Sequence, residues 1–223
     1  MKEIFDDINK ADPLKRLVER ETEQTELSPM DPPDAYAPPV MENIAYEEMH
    51  PVLQRLMDEH KNCLKELEAL EETLLQIQKE GMSVERNKKL GAFFSFLDQT
   101  IVAHNLKEEK ILFPSLHQKL LENGIHSHGP AATTGVDMLE DDHVKLMQLS
   151  AVAFNFFSLA GRLPDIASRA MVLDAAVEQG KALVEMLQLH IFREDNVVFA
   201  QAQQYVAKDE LDDMLQRFEA FKK

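Results

Sequence analysis

One cysteine, seven glycines and no tryptophan occur among the 223 residues. A single thiol, Cys63, rules out an intramolecular disulfide and fits a reducing compartment. Scarce glycine beside plentiful Leu, Ala, Glu, Lys and Gln favours helix. Positive charge is short as well: 24 Lys and Arg stand against 40 Asp and Glu, a formal net charge of -16. Such a surface repels phosphate backbones and anionic lipids, so neither nucleic acid nor a membrane is expected as a partner. No apolar run approaches the ~20 residues that span a bilayer. The opening stretch MKEIFDDINK has no apolar region and no cleavage signal, which points to the cytoplasm.

What is present is apolar residues, at 44%, and a bunching of proline. Pro29, Pro32, Pro33, Pro38 and Pro39 fall within LSPMDPPDAYAPPVMENIAY. Proline fixes φ and removes a donor, so no regular element continues through that stretch. Residues 1–45 are expected to be an extension and linker, with room for a short helix at 4–20. They could wrap along the remainder or hold together a homo-oligomer.

From residue 46 to 223 the apolar pattern is helical. A first helix is expected at 47–79, closed by Gly81, with Leu53, Leu56, His60, Leu64, Leu67 and Leu74 in its stripe. A second, at 85–121, turns Phe93, Leu97, Ile101, His104, Glu108 and Ile111 inward. Pro114 should kink it or weaken its last turns. A third, at 136–160, presents Leu139, His143, Leu146, Met147, Phe154 and Phe157. A fourth, at 165–205, presents Leu183, Met186, Leu187, His190, Glu194 and Val197, with Gly180 inside it at some cost in stability. A short C-terminal helix follows at 209–221. Four long helices with mostly short connections make an all-α, antiparallel up-and-down bundle.

Two of these helices carry one ten-residue pattern. HNLKEEKILF runs from His104 to Phe113, and HIFREDNVVF from His190 to Phe199. Residues four apart share a helix face, so His104 with Glu108, and His190 with Glu194, point the same way. In the bundle topology His60, His104 and His143 fall within roughly 3 Å of one level, measured from the end bearing the first and third connections. His190 comes out about 9 Å off that level on the same measure.

Four imidazoles and two carboxylates thus converge in an apolar interior. An unpartnered buried carboxylate is very costly, and two at one height repel or share a proton. Metal cations relieve both problems. Imidazole with carboxylate suits iron, manganese or zinc, and does not select Cu(I) or calcium. Six ligands exceed the needs of one tetrahedral zinc. They suit two metals, each with two His and two shared Glu oxygens. A bridging oxygen would add a fifth ligand and leave one position open to O2, NO or peroxide. A blander reading remains beside this one: a helical interaction protein whose His and Glu are core polar residues or a structural zinc site.

The ordered set LMDEHK (His60), HNLKEEKILFP (His104, Glu108), HGPAATTGVDMLEDDH (His143) and HIFREDNVVF (His190, Glu194) resembles the hemerythrin-like, HHE cation-binding family across roughly 46–205. The resemblance implies a non-haem centre of two iron ions, with Asp195 as an alternative acid to Glu194. Oxygen-carrying members place a second His four residues after the first on the third helix, where this chain has Met147. The four-His, two-Glu set is similar to the branch linked to nitrosative stress and repair of iron centres. That branch often carries an N-terminal cysteine-bearing domain, which is absent from this sequence. Carrier, sensor and enzyme all remain open.

Overall fold

A computed structural model describes residues 44–129 and 132–221. The expected extension, up to residue 43, lies outside them. A 3-10 turn at Tyr46–Glu48 leads into α1, Pro51–Glu80. Its N-cap is His50, whose Nδ1 accepts from the Val52 amide at 3.3 Å, with Pro51 at the first position, where its missing donor costs nothing. Gly81 closes it at φ 78°, a left-handed conformation suited to glycine. The buried residues of α1 step by three and four without a fault through Leu53, Leu56, His60, Cys63, Leu67, Leu70, Leu74 and Ile77. The seam therefore passes through Cys63, and Leu64, expected inward, is 40% exposed.

The second helix, α2, spans 84–122 as three α-helical stretches, Val84–Phe96, Val102–Lys107 and Phe113–Glu122. Two π-helical turns, Leu97–Ile101 and Glu108–Leu112, join them. Pro114 explains part of this. It has no N–H for the Lys110 carbonyl, and the second π turn ends just before it. Arg217 Nη2 donates to the Lys110 carbonyl instead, at 3.1 Å.

Thr134 begins α3, Gly135–Ala160, with a reciprocal capping box to Asp137. Its buried seam, Val136, Leu139, His143, Leu146, Ser150, Ala153, Phe157 and Ala160, again steps by three and four. Met147 and Phe154, expected inward, lie beside this seam and are 45% and 53% exposed.

The fourth helix, α4, covers 166–205: Ile166–Arg193, a π turn at Glu194–Val198, then Phe199–Tyr205. The π turn adds a residue to the ladder, so Val198 is buried where Val197 was expected, and Val197 is only half-buried. Its first turns bury no side chain; Ala176 is the first fully covered residue. His190 nevertheless lies level with its counterpart on α3, its Nε2 3.1 Å from that of His143. A last helix, α5, Lys208–Ala220, buries Leu211, Met214 and Phe218. No strand occurs among the described residues, and no described helix is long and apolar enough to cross a membrane.

The interior has two apolar cores. One gathers Leu53, Leu56, Phe113, Leu116, Leu139 and Phe199 with the buried face of α5. The other gathers Leu67, Leu74, Phe93, Leu97, Leu146, Leu183 and Leu187. The polar layer His60, His104, Glu108, His143, His190 and Glu194 belongs to neither; its residues fall between the two along each helix, except that His190 sits beside Ile191, the last member of the second core on its helix.

Candidate metal centre

All six residues expected from the sequence meet in that layer. Both carboxylates are fully buried, at 0% exposure, and the four imidazoles are almost so. The Nε2 atoms of His60 and His104 lie 2.9 Å apart, and those of His143 and His190 3.1 Å apart. Each glutamate reaches across both pairs. Glu108 puts one oxygen 3.3 Å from His104 Nε2 and the other 3.6 Å from His143 Nε2. Glu194 puts one 3.1 Å from His190 Nε2 and the other 3.2 Å from His60 Nε2. Two overlapping quartets result, His60, His104, Glu108, Glu194 and Glu108, His143, His190, Glu194, each with its ligand atoms within 4.8 Å of one another.

The outward ring nitrogens are held by a second set of acids. His104 Nδ1 meets Glu59 of α1 at 2.9 Å, and His143 Nδ1 meets Glu109 of α2 at 2.8 Å. His60 Nδ1 meets Asp195 of α4 at 2.7 Å. His190 Nδ1 lies 3.8 Å from Asp142 of α3, an ion-pair distance. Support therefore passes from α1 to α2 to α3 to α4 and back to α1. Lys107 clamps Glu59 at 2.5 Å and Arg193 clamps Asp142 at 2.8 Å. Phe113 stacks on His143 at 5.8 Å between centroids, and Phe199 on His60 at 5.5 Å.

This explains the repeated decapeptide position by position. Its His joins the inner layer, the basic residue at +3 braces that imidazole's acid, and the Glu at +4 spans the two pairs. The acid at +5 holds the imidazole of another helix, and the Phe at +9 stacks on that same imidazole. Asp195 thus serves His60 from outside the centre, and it is Glu194 that faces inward. The basic residue at +3, Lys107 or Arg193, was readable in the repeat, but its job was not, because the acid it clamps comes from a different helix. His126 and His128 stay together in a loop away from this layer, and His117 pairs with Thr134.

The chemistry of the donor set is one-sided. An Nδ1 proton given to a carboxylate leaves the Nε2 of His60, His104 and His143 as an acceptor, while His190 Nδ1, 3.8 Å from Asp142, makes no hydrogen bond. The Nε2 atoms converge on four glutamate oxygens, which accept only. None of those oxygens receives a hydrogen bond among the described residues. A cluster of acceptors without donors needs a shared cation. In the metal-free protein, protons fill that need. Burial pulls the His60 pKa down, but Asp195 and Glu194 outweigh it and raise it to about 9. Burial is likewise overcome at His104 by Glu108 and Glu59, reaching about 10, and at His190 by Glu194 and Asp142, reaching about 9. Burial alone would raise the Glu194 carboxyl, yet His190 and His60 hold it well below the usual range. Divalent or trivalent metal is the other way to supply the charge. Imidazole Nε2 and carboxylate oxygen, each oriented by an outer acid or helix, are its ordinary ligands.

The profile of the Hemerythrin HHE cation binding domain matches residues 52–202. The chain belongs to this hemerythrin family. The matched region begins in α1 and ends in α4, so it contains all six inner residues. Among curated proteins, the hemerythrin-like chain is 26% identical over 153 residues to the iron-sulfur cluster repair protein YtfE of Cronobacter sakazakii. That match covers 68% of this chain and 62% of the relative, so the chain spans under two thirds of the relative's length.

Proposed function

We propose that the chain is a non-haem di-iron protein that binds or senses O2, NO or peroxide. Its ligands in this reading are His60 and His104 for one ion, His143 and His190 for the other, with Glu108 and Glu194 shared. The observation that carries it is the acceptor-only cluster, in which each glutamate addresses one imidazole of each pair. Bound iron would supply reversible electron transfer and a place for one small ligand. The chain supplies the rest. Glu59, Glu109, Asp142 and Asp195 fix the ring orientations, Phe113 and Phe199 hold His143 and His60 in plane, and the two apolar cores exclude water. Zinc and manganese share these ligands, so metal analysis decides among them. Protein purified without oxygen should hold iron near two per chain. His104→Ala and Glu108→Ala should lose it. A wild-type protein that takes up no metal after anaerobic reconstitution would sink the reading.

The relative named for iron-sulfur cluster repair supports a second reading: a di-iron enzyme or an iron donor in nitrosative or oxidative stress defence. Turnover of NO or peroxide, or transfer of iron to a metal-depleted cluster protein, separates this from stoichiometric binding. A helical interaction protein with a structural metal site would instead keep its metal through cycles of oxidation and NO exposure, with no spectral response.

A further inference from the structure

The two halves of the centre correspond residue by residue, and at one position beside the inner ligands they part. Asn105 follows His104 where Ile191 follows His190. Both are buried. Ile191 demonstrates that an apolar side chain packs at this place in the pattern. Asn105 is 8% exposed, and its carboxamide makes no hydrogen bond among the described residues. Its amide atoms are not among the fully shielded, unpartnered side-chain atoms, so the carboxamide reaches solvent and can bond a small molecule that enters there.

Asn105 lines two spaces. The inner one is a cavity of about 20 Å³ that it shares with His60, Cys63, Thr100, Ile101 and Ile191. That exceeds the ~10–15 Å³ that holds one water and leaves room only for a molecule of comparable size. The outer one is a groove of about 510 Å³ between α2 and α3, walled by Val102, Leu106, Val144, Met147 and Ala151. Asn105 is the one residue that lines both spaces.

We propose that Asn105 is the portal of the centre: a neutral diatomic ligand passes from the α2–α3 groove into the cavity beside His60 and His104, and the carboxamide N–H donates a hydrogen bond to it there. This rests on reading the inner layer as a metal centre. The groove is mostly apolar, with Glu109, His143 and Gln148 on its lining besides Asn105; it disfavours anions, and the cavity excludes larger solutes. Met147, at the place of the absent second imidazole of α3, becomes part of the approach.

Two measurements test it, and the first needs no metal. Cys63 is the one thiol of the chain and lines the cavity. In metal-free protein, hydrogen peroxide transfers one oxygen to the Cys63 sulfur, giving sulfenic acid and releasing water. Trapped product is counted by mass. Asn105→Ala should speed this about tenfold, and Asn105→Ile should not speed it. Rates that stay flat in urea below the unfolding transition report passage through the portal. Equal rates in wild type and Asn105→Ala, or rates that climb with urea as melting does, overturn the portal. In the second measurement, iron-loaded Asn105→Ile should hold as much iron as wild type and release NO about three- to tenfold faster, the effect of one neutral hydrogen bond. Unchanged NO release overturns the hydrogen-bonding role. If wild type takes up no iron, the metal reading falls, while the Cys63 comparison still decides the portal.

Discussion

Glu59, Glu109, Asp142 and Asp195 each sit next in sequence to an inner residue, yet each serves an imidazole on another helix. A ring held on Nδ1 keeps Nε2 aimed and basic, which is how outer acids tune a metal site. Glu59 is itself set for this. Burial would raise its carboxyl, but His104 and Lys107 bring it down to about 2. Substituting Glu59→Gln or Asp142→Asn should weaken metal affinity ~10–100-fold, as loss of such support does elsewhere. Chelator competition measures it, and the stoichiometry at saturating metal should stay as in wild type. An affinity equal to wild type in both variants would make these acids mere surface charge. At this scale the sequence was informative about identity and silent about pairing. The dipeptides Glu59-His60 and Asp142-His143 do not say which imidazole their acids serve, because nothing local shows which helix lies across from the acid.

The helices themselves were legible through their period. The seams of α1 and α3 step by three and four throughout, and only the membership of Leu64, Met147 and Phe154 was misassigned, since apolar residues flanking a seam look like the seam. The π turns were not legible. Two of the three fall at Glu108–Leu112 and Glu194–Val198, inside the repeat, where hydrogen-bonding register shifts by one residue to keep both the His and the following apolar residues inward; the third, Leu97–Ile101, precedes it. Gly180 shows a different blind spot. It looked like a weak point of α4, but a Cβ there would lie 2.8 Å from Leu74 Cδ2 of α1. The glycine lets two helices approach. Gly180→Ala gains about 1 kcal/mol of helix propensity. Crowding fully buried Leu74 costs about 1–3 kcal/mol, so the net change should be destabilising. In a denaturant double-mutant cycle with Leu74→Ala, the glycine substitution should turn neutral or stabilising. Additive effects would show that the two side chains do not meet.

For the molecule as a whole, the polar layer between two apolar cores ties stability to metal and to pH. In metal-free protein His60, His104 and His190 have pKa values raised from 6.5 to about 9, 10 and 9. Groups raised on folding stabilise fully below about pH 6.5, and that contribution is lost as pH climbs through 9 to 10. Glu59 and Glu194 are lowered from 4.5, so their contribution holds above that value and is lost as pH falls toward 2 and below. The melting temperature of metal-free protein should therefore be highest between about pH 4.5 and 6.5 and decline toward pH 9. Metal displaces those protons, so loading at neutral pH should release them, measurably in a weakly buffered titration. A hundredfold excess of free metal over its dissociation constant should add about 2.7 kcal/mol of stability and flatten the alkaline decline. A metal-free melting temperature unchanged from pH 6 to 10 would count against the protonated cluster.

By itself the sequence determined the helices, their seams and the six inner residues. Each of those is a local matter: a period of 3.6, a cap, a proline, or a His and a Glu one turn apart on a buried face. The tertiary structure decided which groups face one another. It set Glu108 and Glu194 across both imidazole pairs, gave each imidazole an acid from another helix, and moved Met147 from the centre to the groove. It also placed Asn105 on the linings of both the inner cavity and the outer groove, where the matching Ile191 lines only the cavity. Spacing along one helix fixes direction but not what lies opposite, and at this centre the chemistry depends on what lies opposite.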